Sequence, residues 1–225
     1  MNQNFSVHKG TVICYRNALA LHFFRINRAR DIPEIMEQLY DLNSFHGTRV
    51  PAEAVANEIN IVISLLQDEY LCLKVISLID IELLPLYKGI KLCIDHLLKV
   101  EVEIPFILLC RLVVRYFTLI TGSVSVKLTE EKDLLRLDFV SNIPKLISSQ
   151  HMEGVLLEVH KIISKFSSVN LTKLTLSHDK SFNNIDIYKK LFGVSAELSS
   201  LTNSLYYPLK SIRNTVLAEE HVEIL

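Results

Sequence analysis

Residues 171–209, LTKLTLSHDKSFNNIDIYKKLFGVSAELSSLTNSLYYPL, place the strongest constraint on the fold. Leu174, Leu176 and His178 alternate onto one side, the mark of a half-buried strand. Ile185, Tyr188, Leu191 and Phe192 then recur at helical spacing, and Gly193 stands where a glycine ends a helix in the left-handed conformation. Val194, Ala196 and Leu198, followed by Leu201, Leu205 and Tyr207, return to strand spacing before Pro208. Strand, short helix, strand is too small to bury its own apolar face, so this unit requires a larger body to pack on.

The rest of the chain supplies that body. Asp31, Pro33 and Glu34 predict a helix start, with Ile32, Ile35, Met36, Leu39 and Tyr40 as its apolar stripe. Pro51 opens a second helix, in which Val55, Ile59, Val62, Ile63 and Leu66 share a face. Pro85 and Gly89 interrupt the apolar run 71–99, predicting two short elements. Pro105 and Gly122 bracket a further helix. Val124, Val126 and Leu128 alternate, a charged turn is expected over 129–133, and Leu135, Leu137 and Phe139 alternate back as a hairpin. Met152, Val155, Leu156, Val159, Ile162, Ile163 and Phe166 form an amphipathic helix. Beyond Pro208, Leu209, Ile212, Val216 and Leu217 read as a last helix. Residues 1–30 are the least regular, with a strand and then a helix expected between Thr11 and Ile26.

The predicted fold class is therefore α+β: a helical N-terminal half, then a small antiparallel or mixed sheet with covering helices in the C-terminal half. The expected organisation is one domain over 1–225, with a poorly defined segment 1–30, a mainly helical part 31–122, and hairpin, helix and strand-helix-strand over 123–209.

Several functions are disfavoured by composition. A net charge of −1 over 225 residues argues against a nucleic-acid surface within this chain. Cys14, Cys72, Cys93 and Cys110 form no CxxC pair and sit among apolar neighbours, so reduced thiols in a cytoplasmic protein are expected, with no metal and no cofactor. The most apolar run, 104–121, carries Arg111 and Arg115, which argues against a membrane span. There is no P-loop, GxSxG, GxGxxG or HExxH, so no catalytic residue is assigned and no enzyme is expected. His151 and His160 lie nine residues apart, on opposite faces of one helix at about 100° per residue.

Two places carry candidate ligand chemistry. Arg111, Arg115 and Thr118 share one face of an otherwise apolar helix. Paired with Glu131, Asp133 or Asp138 they are surface groups; unpaired, a guanidinium suits the carboxylate of a small acid. His178 is either a buried histidine held by a backbone or hydroxyl partner, or a polar group aimed into a pocket.

The order Ser177-His178, Tyr188, Phe192-Gly193, Asn203-Ser204-Leu205 and Pro208-Leu209, with Arg115-Tyr116 just upstream of a hairpin, resembles the effector domain of bacterial AraC-type transcription regulators. The branch is the one with an arabinose-binding-like N-terminal domain. That resemblance implies a ligand-sensing, homodimerising module with a small-molecule effector, of carboxylic-acid type on the arginine argument. It also implies that residues 210–225 begin a linker to a helix-turn-helix DNA-binding domain absent from this sequence. The candidate ligand-binding residues are Arg115, Tyr116, His178, Tyr188 and Phe192; Tyr188, Phe192, Tyr206 and Tyr207 either line a pocket or fill the core, and most are expected in the core. The alternative is a structural dimerisation or interaction module without a ligand.

Overall fold

The computed structural model describes residues 5–100, 104–179 and 186–209. Its order is β1 (Ser6–His8), α1 (Lys9–Arg25), α2 (Ile32–Glu37), β2 (Arg49–Pro51), α3 (Ala52–Leu66), α4 (Leu71–Leu78), α5 (Pro85–Leu97), α6 (Phe106–Ile120), β3 (Val124–Glu131), β4 (Leu134–Ser141), α7 (Ser149–Phe166), β5 (Lys173–Thr175), α8 (Asp186–Phe192), β6 (Ala196–Glu197) and β7 (Asn203–Pro208). The class is α+β, as expected. β1 and β2 form a two-stranded antiparallel pair, and a five-stranded sheet runs in the order β3-β4-β7-β5-β6. Among the described strands, only the β5–β6 pairing is parallel.

Local signals explain most boundaries. Pro51 precedes α3, and Gln67 closes that helix in the left-handed region at φ 50°. Pro85 opens α5, and Pro105 precedes α6. Ser148 caps α7 by accepting the His151 amide at 3.2 Å. Gly193, at φ +78°, ends α8 as its spacing predicts, its amide donating to the Lys189 carbonyl.

Four expectations need correction. α1 starts at Lys9, before Thr11, because His8 caps it through Nδ1 and the Gly10 amide at 3.0 Å; the strand lies earlier, at Ser6–His8. Asp31 does not cap α2, since its carboxylate is engaged by Arg28 Nε at 2.6 Å. Gly89 lies within α5 without interrupting it: a Cβ there would meet Tyr116 Cδ1 at 2.8 Å, so this glycine admits the ring of α6. The hairpin turn shortens to Lys132 and Asp133, with Lys132 left-handed at φ 47°, as a two-residue connection requires. The readings of Ile185, Ile212, Val216 and Leu217, and the linker over 210–225, fall outside the described residues.

One apolar cluster joins both halves, from Tyr15, Leu19 and Phe23 of α1 through Leu71 and Val75 of α4 to Leu205 and Tyr207 of β7. α7 is its centre. It lies against α4, which lies against α1, and it also touches α8, β4 and β7. The expected one-sided helix is thus buried on two sides: Glu153, Glu158 and His160 are buried along with Leu156 and Ile163.

Candidate functional site

Four acidic side chains are buried among the described residues: Glu58, Asp138, Glu153 and Glu158. A buried carboxylate is costly unless donors or cations meet it, so their partners show what each is for. Arg16 grips Glu58 with Nε at 2.9 Å and Nη2 at 2.6 Å. Asp138 receives Ser204 Oγ at 2.6 Å and Arg136 Nε at 2.9 Å. Glu153 receives the Tyr188 hydroxyl at 2.9 Å and lies 2.7 Å from His178 Nε2. Glu158 has no hydrogen bond or ion pair among the described residues; burial lifts its carboxyl to about 7, against a smaller opposing pull from Lys161.

Glu158 faces a cavity of about 70 Å³. Roughly five waters fit such a space. Its walls are mostly apolar and come from α1 (Val12, Tyr15), α3 (Val55, Ile59), α4 (Cys72, Ile76), α6 (Phe117) and α7 (Gly154, Val155). Gly154 lets α7 sit close to α4, where a Cβ would come within 3.3 Å of both Cys72 Cβ and Ile76 Cγ1. Three further polar atoms on the walls are buried without a hydrogen-bond partner among the described residues: Thr11 Oγ1, Tyr15 Oη and His151 Nδ1. Burial holds the His151 ring down at about 4, so it is neutral at pH 7, and raises the Tyr15 phenol well above its ordinary range. Among the described residues, no lysine or arginine lines this cavity. Lys161, one turn along α7, gives its ammonium to the carbonyls of Ile76, Ser77 and Ile79 at 3.0, 3.1 and 2.8 Å, tying down the end of α4. Orphaned polar atoms in a mostly apolar pocket are what a small ligand can satisfy.

The residues singled out from sequence fall elsewhere, in two groups. Arg115 is exposed on α6, and Thr118 Oγ1 donates back to its carbonyl at 2.7 Å. Neighbouring Arg111, also exposed, reaches Glu130 at 3.4 Å, whereas Glu131 and Asp138 are taken by Arg136. Tyr116 packs on Gly89, and a hydrogen bond with Cys93 raises its phenol. Neither Arg115 nor Tyr116 is a wall residue of the cavity.

The second group does converge. His178, just past β5, and Tyr188 of α8 meet on Glu153 of α7. The His178–Glu153 contact is close but out of line for a hydrogen bond, and His178 Nδ1 is buried without a hydrogen-bond partner among the described residues. Tyr188 is fully enclosed, its ring edge-on to Tyr70 at 6.0 Å, and burial together with Glu153 raises its phenol far above the ordinary range. Phe192 is buried 5.4 Å from the His160 ring, and His160 Nδ1 bonds the Tyr207 hydroxyl at 3.0 Å. Burial lowers His160 to about 4. This group pins β5, α8 and β7 to α7.

Sequence reasoning missed Thr11, Tyr15, Glu153 and Glu158. A signal existed for the last two: His151 and Glu158 are seven residues apart, as are Glu153 and His160. Seven residues bring a helix back to within about 20° of the same face. The opposite faces expected for His151 and His160 are observed, one on the cavity and one on Tyr207.

Among the described residues, no helix is long and apolar enough to cross a membrane. No protein-family model matches the chain, and no curated protein matches it. The fold is similar to the crystal structure of the transcriptional regulator CdpR from Pseudomonas aeruginosa, with a TM-score of 0.51 and 10% sequence identity. The likeness covers 90% of this chain and 56% of that one, so the chain spans little more than half of that regulator's length. At this identity the shared property is the fold.

Proposed function

We propose that this chain is the effector-sensing and dimerising part of an AraC-type transcription regulator, acting in the cytoplasm, with the cavity beside α7 as its effector site. The observation that carries the reading is the set of orphaned polar atoms on Thr11, Tyr15, His151 and Glu158 around an apolar space. The regulator-like fold and the order of Arg115-Tyr116, His178, Tyr188 and Phe192-Gly193 support it. DNA contact is assigned to a helix-turn-helix domain outside these 225 residues. An effector acts by binding two arrangements of the protein unequally. The cavity is walled by five helices, so filling it can bias how α1 and α4 pack on α7.

One observation favours the interaction role in its own right. Ile13, Leu21 and Phe24 of α1 are exposed at 47%, 42% and 62% and fall within about 80° of one another around the helix. Such an apolar stripe suits a homodimer contact.

The test is a reporter fusion. The chain is joined to a DNA-binding domain that represses only as a dimer, with and without Val155→Leu, which pushes a methyl into the cavity. Repression that changes with the substitution is expected. Repression indifferent to it leaves a dimerisation module without a ligand, and absence of repression removes both roles.

A further inference from the structure

We propose that the cavity binds a compact amine, its apolar body against Val12, Ile59 and Ile76 and its nitrogen beside Glu158, with Tyr15 and His151 elsewhere on the same wall. The inference deepens the sensing reading and rests on it only for the use of the site.

The donor set decides the ligand class. Every polar group on the wall can accept a hydrogen bond; the hydroxyls of Thr11 and Tyr15 and the neutral imidazole can also donate one, and Thr121 and Ser123 bond each other. Among the described residues no lysine or arginine lines the cavity, and Lys161 is occupied by three carbonyls, so a carboxylate would meet Glu158 with hydroxyl donors but no cation to offset the like charge. An ammonium finds the reverse, one unpaired acid and the rings of Tyr15 and Phe117 on the same wall. Glu58, Asp138 and Glu153 each hold partners within the protein, which leaves Glu158 as the buried acid with its donor still to come.

Size narrows the class further. A space of about 70 Å³ favours a small compact body over a sugar or a long acyl chain. The titratable groups around Glu158 are Lys161 on its own helix, the neutral Cys14 thiol of α1, and beyond them Asp80 and Lys88. Burial raises Glu158 to about 7, so the empty site is largely protonated in mild acid. Binding an ammonium then releases a proton, and affinity rises with pH until the carboxyl is fully ionised.

The experiment is calorimetric titration of the full chain with isobutylamine, isobutanol and isobutyrate, three probes of nearly one shape, at pH 6, 7 and 8. The amine is expected to bind about tenfold more tightly at pH 8 than at pH 6. Isobutanol should bind more weakly without that rise, and isobutyrate at least tenfold more weakly than the amine at pH 8. Glu158→Gln should flatten the pH dependence and weaken amine binding at least tenfold at pH 8. Val155→Leu should weaken amine and alcohol alike, and unchanged circular dichroism identifies both variants as folded. Isobutyrate binding as tightly as isobutylamine, an amine affinity flat in pH, a Glu158→Gln variant that binds like the parent, or no amine binding would each overturn the inference. Amine binding with a reporter indifferent to the cavity would leave the inference standing and remove the sensing reading. A cavity-sensitive reporter without amine binding would do the opposite.

Discussion

The two faces of α7 carry the same pair of side chains, a histidine and a glutamate seven residues apart, and put them to different ends. On the sheet side, Glu153 is closed off by Tyr188 and His178, and His160 by Tyr207. On the helical side, His151 and Glu158 face Tyr15 and Thr11 across an open space, and none of the four side chains has a hydrogen-bond partner among the described residues. Both faces are buried, so depth does not separate them. Hydrogen bonding does: on α7 itself Glu153 is bonded by Tyr188 and His160 by Tyr207, with His178 in close contact but unbonded, whereas the side chains of His151 and Glu158 have no such bond among the described residues. A polar network that is closed adds rigidity, whereas one left open destabilises the protein until a partner arrives.

The contrast can be broken by substitution. Glu153→Ala leaves a buried tyrosine hydroxyl and an imidazole without their carboxylate, and should destabilise the protein by about 3–4 kcal/mol in urea unfolding. A loss below about 1 kcal/mol would mean that this face is not closed.

Glu158→Gln should act in the other direction, and increasingly so as pH rises. Burial lifts this carboxyl from 4.5 to about 7, so its protonated form stabilises the fold below the unfolded-state value, and that stability is lost as pH climbs through the folded value. Relative to its parent, Glu158→Gln should therefore gain about 3 kcal/mol between pH 4.5 and pH 8. Parallel pH profiles for the two proteins would refute this.

The tyrosines sharpen the comparison on a smaller scale. Tyr188→Phe removes the donor to Glu153 and should cost about 1.5 kcal/mol. Tyr15→Phe removes a hydroxyl that bonds nothing and should change stability by less than about 0.5 kcal/mol, or raise it. Thermal unfolding of the two variants side by side reads the difference, and equal losses would erase the distinction between the faces. At the small end, Gly193→Ala should cost about 1 kcal/mol through its left-handed backbone.

What was legible in the sequence follows the range of the physics involved. α3, α6, the hairpin, α7 and the α8–Gly193 stop are set by proline, glycine and apolar spacing within a dozen residues. The β1–β2 pair joins residues more than forty positions apart, and parallel β5–β6 requires the α8 crossover; neither leaves a local pattern. Gly89 read as a breaker because its reason, the Tyr116 ring, comes from a different helix. The candidate site was half legible. His178, Tyr188 and Phe192 do lie together against α7, but the acid that joins the first two was hidden in a helix whose apolar stripe suggested that its polar positions were solvated. The cavity was not legible, because its walls come from five helices and its polar atoms matter only through partners they lack.

A crystal structure of the chain soaked in isobutylamine at pH 8 tests the central claim most directly. The account predicts the ligand in the space between α1, α4 and α7, its nitrogen within about 2.7–3.1 Å of a Glu158 carboxylate oxygen, with the Tyr188–Glu153–His178 contacts unchanged. A cavity filled only by ordered water bonded to Thr11, Tyr15, His151 and Glu158, with the amine bound elsewhere or not at all, would contradict it.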